Sequence, residues 1–497
     1  MLPKDAKIWL ARIRSTNWLT PIYLCIIFIA LVAFGSVGPF ALSSVTAGMA
    51  ALAFATIMRR KISQDFVWVM VFGPICLLAL LSWVFVQTLP APIAANPIWN
   101  SLNSLGLDKT MSVSIQPADT FYTMQCLILP FLTFFTGLII ARDAREARTL
   151  VRAIGLVGAV VTTLSFGQFL LANDFILSHP KVFYRDSFTA FFINRNNAGT
   201  FVGLTLLVIL RQFWSETRAF SIRDLCEFTL LGRTPSGRRP LSAIAYAGLL
   251  MVVIVALFMT KSRGAIVAST ASSVALGLIL LWLRLRERSR VSESATMSKM
   301  LLRSLVLLAA AAGVFMILGD RVVMRAQVLG ADDPRFCVMP SITKLLSASW
   351  PWGTGAGTFA DAFAAYRDPA CGLSGIWQKA HNSYLQSLIE LGVPGSALLL
   401  ISGLVVISVL ARKLFTDHPH RSYIALALAA LMLVAAHSLV DFSMEIPAVA
   451  TYLAALVSAA ISTSGTGPYS NSIKTTEPTS MRGLRTAASN SATSARD

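Results

Sequence analysis

Charged side chains are scarce in this sequence. Asp, Glu, Lys and Arg make up 13% of its 497 residues, about half the share of a soluble globular domain. That scarcity excludes an ordinary water-soluble enzyme. Histidine is scarcer still, at five residues, and none of the six cysteines falls in a Cys-x-x-Cys spacing. Nothing in the cysteine pattern suggests a metal site. Within the apolar stretches, Asp, Glu, Lys and Arg are almost missing. Such charges usually mark ion or proton pathways through a membrane, so a conduction path is not indicated. Arg211 sits at the end of a stretch, where its stem can snorkel.

What is abundant is apolar surface, with 55% hydrophobic residues. About twelve runs have the length of a membrane span: 18–34, 40–58, 66–88, 119–140, 153–171, 198–214, 241–260, 264–283, 302–319, 395–411, 422–440 and 446–463. A helix needs about 20 such residues to cross the bilayer core. Barrel strands would alternate in polarity, and these runs do not. The expected fold is an all-α polytopic membrane protein with about 12 transmembrane helices.

The net charge of +18 does not call for a nucleic-acid partner. With both termini inside, the inner segments hold thirty of the 42 Lys and Arg residues and the outer segments twelve. That asymmetry is the positive-inside rule, so basicity reports orientation. Lys4, Lys7, Arg12 and Arg14 precede an apolar run long enough to span, which favours an uncleaved first helix over a cleaved signal peptide. The expected organisation is helices one to nine over 1–319, an outer lobe over 320–394, helices ten to twelve over 395–463, and a disordered tail over 464–497.

Unusual polar residues gather where helices are expected to begin on the outer face. In "FFINRNNAG", Phe191 to Gly199, Asn196 or Asn197 is placed to cap a helix, with Arg195 beside its N-terminus. In "TKSRGA", Thr260 to Ala265, Arg263 opens the next outer-starting helix. Free backbone N–H groups and the helix dipole favour an anion at such points, and arginine adds a planar fork suited to phosphate oxygens. The ordinary role of an arginine at this depth is interfacial anchoring.

The stretch "KAHNSYLQSLIELGVPG", Lys379 to Gly395, places His381 before a short helix. Asn382 or Ser383 can cap that helix, and Gly392 with Pro394 ends it. A helix N-terminus and nearby cations keep an imidazole neutral and able to accept a proton. A loop histidine with a satisfied hydrogen bond is the ordinary alternative. "WPWGTGAGTF", Trp350 to Phe359, lacks G-x-G-x-x-G spacing and a preceding strand, and reads as a tight loop with close backbone packing. "AHSLVDFSMEIPA", Ala436 to Ala448, sets His437 and Asp441 four apart, as on one helix face. They read as a polar pair, with Asp441 also able to orient another group. Cys337 and Cys371 are the only cysteines expected outside. A disulfide between them is one reading and two buried thiols the other.

Taken in order, these pieces resemble the bacterial O-antigen ligase and O-antigen polymerase superfamily. The likeness rests on His381-Asn382 followed by Gly392-Val393-Pro394-Gly395, on "NRN…AG", "SRG", "GTGAGTF" with "YRD", and on "HSLVDF…IPA". It covers about 190 to 450. One departure is Asn197, where many relatives carry histidine. The resemblance implies a GT-C-like, metal-independent glycosyltransferase of the inner (cytoplasmic) membrane, without a cofactor, acting at the periplasmic face. Its donor would be a glycan on undecaprenyl diphosphate, and its acceptor another glycan or lipid A core. By the same implication Arg195 and Arg263 grip the diphosphate, His381 is the catalytic base, and Asn382, Arg367 and Asp441 support them. Two other classes compete. A two-halved secondary transporter suits twelve spans but not the charge-free spans and the large outer lobe. A structural scaffold leaves the arginines and the histidine unexplained.

Overall fold

Long apolar runs can satisfy their backbone groups in lipid only as helices or closed barrels, and the computed structural model is helical. It describes residues 18–464 apart from 61–63, 92, 108–109, 219, 221–223, 225–226, 229–230, 233–239, 289–333, 372–375 and 417–418. Among these residues the helices are α1 Leu19–Val32, α2 Pro39–Arg59, α3 Val67–Val86, α4 Ile98–Ser104, α5 Pro117–Ile140, α6 Ala144–Leu171 and α7 Arg195–Thr217. The series continues with α8 Leu241–Met259, α9 Arg263–Arg288, α10 Pro334–Ser349, α11 Phe359–Ala364, α12 Ser383–Phe415, α13 Arg421–His437 and α14 Pro447–Ser462. One small antiparallel pair, β1 Phe175–Ile176 with β2 His179–Pro180, lies between α6 and α7.

Eight helices (α2, α3, α5 to α9 and α12) are long and apolar enough to cross a membrane, and α1, α13 and α14 are shorter apolar helices. Each overlaps one of the expected runs. The run expected at 302–319 lies outside the described residues, as do 320–333 of the expected lobe and the tail from 465. The chain is an all-α, multi-pass membrane protein.

The most enclosed helices are α7 and α14. Nearly every residue of α14 is buried, and it packs on α5, α6 and α13, while α7 packs on α6, α8, α9 and α13. Without a hydrophobic force between helices in lipid, close approach through small residues drives such packing. A Cβ added to Gly199 of α7 would lie 2.5 Å from Ala265 Cβ of α9. Glycine therefore permits these two helix starts to touch.

Beyond the bundle, α10, α11 and the start of α12 share a small core of Val338, Ile342, Leu345, Phe359, Phe363 and Ile389. A disulfide joins Cys337 of α10 to Cys371 in the 3₁₀ turn Pro369–Cys371. The long α12 is broken at Gly392, where φ is 63° and ψ −170°, a region that disfavours any residue with a side chain. Added there, a Cβ would lie 2.4 Å from Pro351 O. The Trp350–Phe359 loop wraps this break. Gly355 N donates to Glu390 O at 3.0 Å, Gly357 N donates to Glu390 Oε2 at 2.9 Å, and Trp83 Nε1 reaches Leu391 O at 2.6 Å. The loop is a tight backbone clasp, as its sequence suggests, and the N–H groups of Gly355, Gly357 and Phe359 are turned to Glu390. The first arm of α12 is thereby held rigidly against the bundle.

Candidate active site

Three separate segments meet at one end of the bundle: the start of α7, the start of α9, and the arm of α12 together with the α13–α14 link. Arg195 is the first residue of α7 and Arg263 the first of α9. Their neighbours are bonded to each other, with Ser262 Oγ donating to Asn196 Oδ1 at 2.8 Å. The other end of the same amide turns to the third segment, where Asn196 Nδ2 donates to Asp441 Oδ1 at 3.0 Å. Asn196 is thus a buried bridge, and both arginines stand beside it.

The cap of α7 differs from expectation. Asn194, not Asn196 or Asn197, is the N-cap, its side chain accepting from Asn196 N at 2.8 Å. Moving the cap back places Arg195 as the first helical residue and frees the Asn196 side chain to face inward. The Arg195 guanidinium lies 5.1 Å from the Tyr184 ring centroid, within cation–π range. The Gly after Arg263 has its own reason: a Cβ on Gly264 would lie 3.0 Å from His437 Cδ2. The α9 start therefore rests against that imidazole.

Asn382 caps α12 as expected, accepting from Tyr384 N at 3.0 Å and Leu385 N at 3.1 Å. It also reaches the α13–α14 link, with Nδ2 donating to Leu439 O at 3.0 Å. Ser383 N donates to Ser438 O at 3.0 Å. These bonds fasten the histidine's own segment to the link that carries Asp441. His381 has φ 53°, a conformation uncommon for a residue with a side chain and often seen at functional sites. Its ring is flanked edge-on by Trp377 and Phe442, at centroid distances of 5.6 and 5.1 Å. Nδ1 lies 3.7 Å from Asp441 Oδ1, beyond hydrogen-bond length but within one small shift of it.

Asp441 is fully buried, yet its carboxyl is held below the ordinary range. Burial acts to raise it, and the neighbouring His381, the charge of His437, and hydrogen bonds from Ser443 and Asn196 outweigh that. The Ser443 hydroxyl donates to Asp441 Oδ2 at 2.6 Å and also lies 3.2 Å from Asn197 Oδ1. Asn197, the position that departs from the resembled pattern, therefore lines the same network.

His437 and Asp441 do not share the helix face that their spacing suggests. Helix α13 ends at His437, so Asp441 lies in the following link and not on the same helix face. His437 bonds Thr200 of α7, Nδ1 to Oγ1 at 2.7 Å. Asp441 is turned to Asn196 and His381. Arg367 lies in the turn between α11 and Pro369–Cys371, half-buried, and its supporting role rests on motif order alone.

Sequence reasoning missed Asn196 as a bridge, Ser262, Ser443, and the pairing of Lys379 with Glu445 at 3.1 Å. The density of small polar residues around the helix starts is the one signal for Asn196, Ser262 and Ser443, and no local pattern signals the pair of Lys379 and Glu445.

Residues 247–400 match the family model described as O-antigen ligase. That stretch includes most of α8, α9 with Arg263, the lobe, and His381 with its arm of α12. No curated protein matches the chain.

Proposed function

Taking the O-antigen ligase/polymerase superfamily, to which residues 247–400 tie the chain, as premise, we propose that it moves a glycan from undecaprenyl diphosphate to an acceptor hydroxyl. The class of activity is that of an O-antigen ligase or polymerase. The donor, the acceptor and the roles of individual residues are our reading. The observation that carries it is the Asn196–Asp441 bond of 3.0 Å. It joins the α7 start to the α13–α14 link. Ser262 ties the α9 start to that link through Asn196, and Asn382 ties the histidine segment to it through Leu439 O.

In this reading Arg195 and Arg263 bind the diphosphate. Each begins a helix, where unpaired N–H groups and the dipole add to its charge, and each presents two parallel donors to phosphate oxygens. The arginines stabilise the charge that grows on the leaving group as the bond to the anomeric carbon breaks. No metal ion and no cofactor is needed. His381 takes the proton from the acceptor hydroxyl as its oxygen attacks that carbon. The C–O bond to the acceptor forms, the C–O bond to the diphosphate breaks, and undecaprenyl diphosphate departs with the electron pair. The proton rests on the imidazole until solvent removes it. Asp441, accepting from Nδ1 after a small shift, would fix the tautomer and stabilise the imidazolium.

Orientation follows from the charge asymmetry. The site end faces the periplasm and the chain sits in the inner membrane, where membrane lipids surround it and the donor enters from the bilayer. An acceptor of lipid A core makes the reaction ligation, a second lipid-linked glycan makes it polymerisation, and a protein hydroxyl makes it protein glycosylation. We favour the first two. Deletion followed by analysis of surface glycans tests the reading. Intact polymer that is no longer attached indicates a ligase, and single short repeats indicate a polymerase. Unchanged glycans in the deletion strain would refute both.

A further inference from the structure

The base and its carboxylate are carried by two segments far apart in the chain, and an ion pair outside the proposed chemistry joins those segments. Lys379 stands two residues before His381, and Glu445 four residues after Asp441. Lys379 Nζ lies 3.1 Å from Glu445 Oε2. Glu445 keeps 21% of its side-chain surface exposed, but both its carboxylate oxygens are shielded from solvent. A shielded carboxylate without a cation is costly, so the pair resists separation.

The surroundings bias the pair toward this geometry. Glu445 ends the 3₁₀ turn Ser443–Glu445, whose first residue bonds Asp441 at 2.6 Å. On the other side, Ala380 N donates to Gln386 Oε1 at 2.8 Å, and Gln386 Nε2 donates to Glu390 Oε1 at 2.8 Å. Lys379 and Asn382, on either side of Ala380-His381, are both tied to the α13–α14 link, Lys379 to Glu445 and Asn382 to Leu439 O. Between them His381 is held at its positive φ of 53°, a conformation that persists only where the surroundings over-determine it.

The charges facing Glu445 come from the segment before α12 and from its arm: Lys379 and, on the same arm, Glu390. Cys126 of α5 faces Lys379 from the bundle. Burial pushes the Glu445 carboxyl up to about 7, against the pull of Lys379. Glu390 already accepts from Gly357 N and Phe359 N at 2.9 and 3.3 Å. Glu445 is thus the carboxylate left to hold Lys379.

We infer that Lys379 and Glu445 are positioning residues that set His381 against Asp441. This inference rests on the proposed role of His381. Neither side chain needs to touch the glycan, so the pair acts on kcat through the placement of the base and leaves donor binding to the arginines. A misplacement of about 1 Å can cost about 100-fold in rate.

The test uses purified full-length protein in lipid nanodiscs, a synthetic polyprenyl-diphosphate glycan and an acceptor glycan. Glu445→Gln and Lys379→Met should each lower kcat by about 10–100-fold while the donor KM changes less than about threefold. The charge-exchanged double variant Lys379→Glu/Glu445→Lys should recover most of the lost rate. A folded Glu445→Gln protein with wild-type kcat would overturn the inference, as would a rise in donor KM with kcat unchanged. Where the single variants fail to fold, the double variant decides. Restored folding and rate support the pair, and a double variant that stays unfolded or inactive counts against it. His381→Ala run alongside separates the two claims. Wild-type turnover there removes the premise, whereas an inactive His381→Ala beside an unimpaired Glu445→Gln removes only the positioning role.

Discussion

Asn196 donates a 3.0 Å hydrogen bond to the Asp441 carboxylate across 245 positions of the chain. With Ser262 on its other end at 2.8 Å, it makes the α7 start, the α9 start and the α13–α14 link one unit. A buried hydrogen bond to a charged group contributes about 1.5–3 kcal/mol, and leaving its partner unsatisfied costs a similar amount.

Asn196→Ala should therefore lower stability by about 2 kcal/mol and reduce transfer about 10-fold or more, although Asn196 contacts no substrate in our account. Thermal melts and initial rates on the same preparation check both effects. Stability loss with unchanged turnover would make the bridge purely structural.

The depressed Asp441 carboxyl gives a pH signature. Its folded value lies below the ordinary 3.8, so the stability it adds is present above pH about 4 and is lost as pH falls through the folded value. The gap in Tm between wild type and Asp441→Asn should be widest near neutral pH and narrow toward pH 3. A gap independent of pH would contradict the assignment of an ionised, network-held carboxylate.

For the arginines the expectation is a binding effect. Arg195→Ala and Arg263→Ala should raise the donor KM and lower kcat, since each cation contacts the diphosphate in both ground and transition states. Arg263→Lys should recover only part, because a point charge cannot reproduce the bidentate fork. A chelator should leave the rate unchanged. Steady-state kinetics against donor concentration measure all of this.

The disulfide between Cys337 and Cys371 closes a segment with a sequence separation of 34. In the chain-entropy model a loop of that size adds about 3–4 kcal/mol. Cys337→Ser/Cys371→Ser should destabilise the lobe by that order and loosen the segment that carries His381. Proteolysis of the lobe with and without reductant tests it, and equal cleavage rates would argue against it.

Part of this was legible in the sequence. The spans were readable because lipid forces any long apolar run into a helix, and the α12 cap was narrowed to Asn382 or Ser383 because these two capping residues precede a periodic run. The α7 cap was misread because "NRNN" offers three equivalent amides, and only the backbone of the preceding turn selects Asn194. The end of α13 was invisible because "HSLVDF" holds no Gly or Pro, so a helical pattern continues past His437. The bond from Asn196 to Asp441 and the pairing of Lys379 with Glu445 join residues hundreds or tens of positions apart. No local pattern encodes such partners, because they arise only when packed helices bring their ends together.

The central claim is that His381 is the base, and its most direct measure is transfer by purified His381→Ala protein. The substrates are a polyprenyl-diphosphate glycan and an acceptor, and donor binding is measured in parallel. The account predicts a rate lowered about 10²–10⁴-fold, the usual loss for a positioned acid–base group, with donor affinity close to wild type. Transfer at the wild-type rate would contradict it.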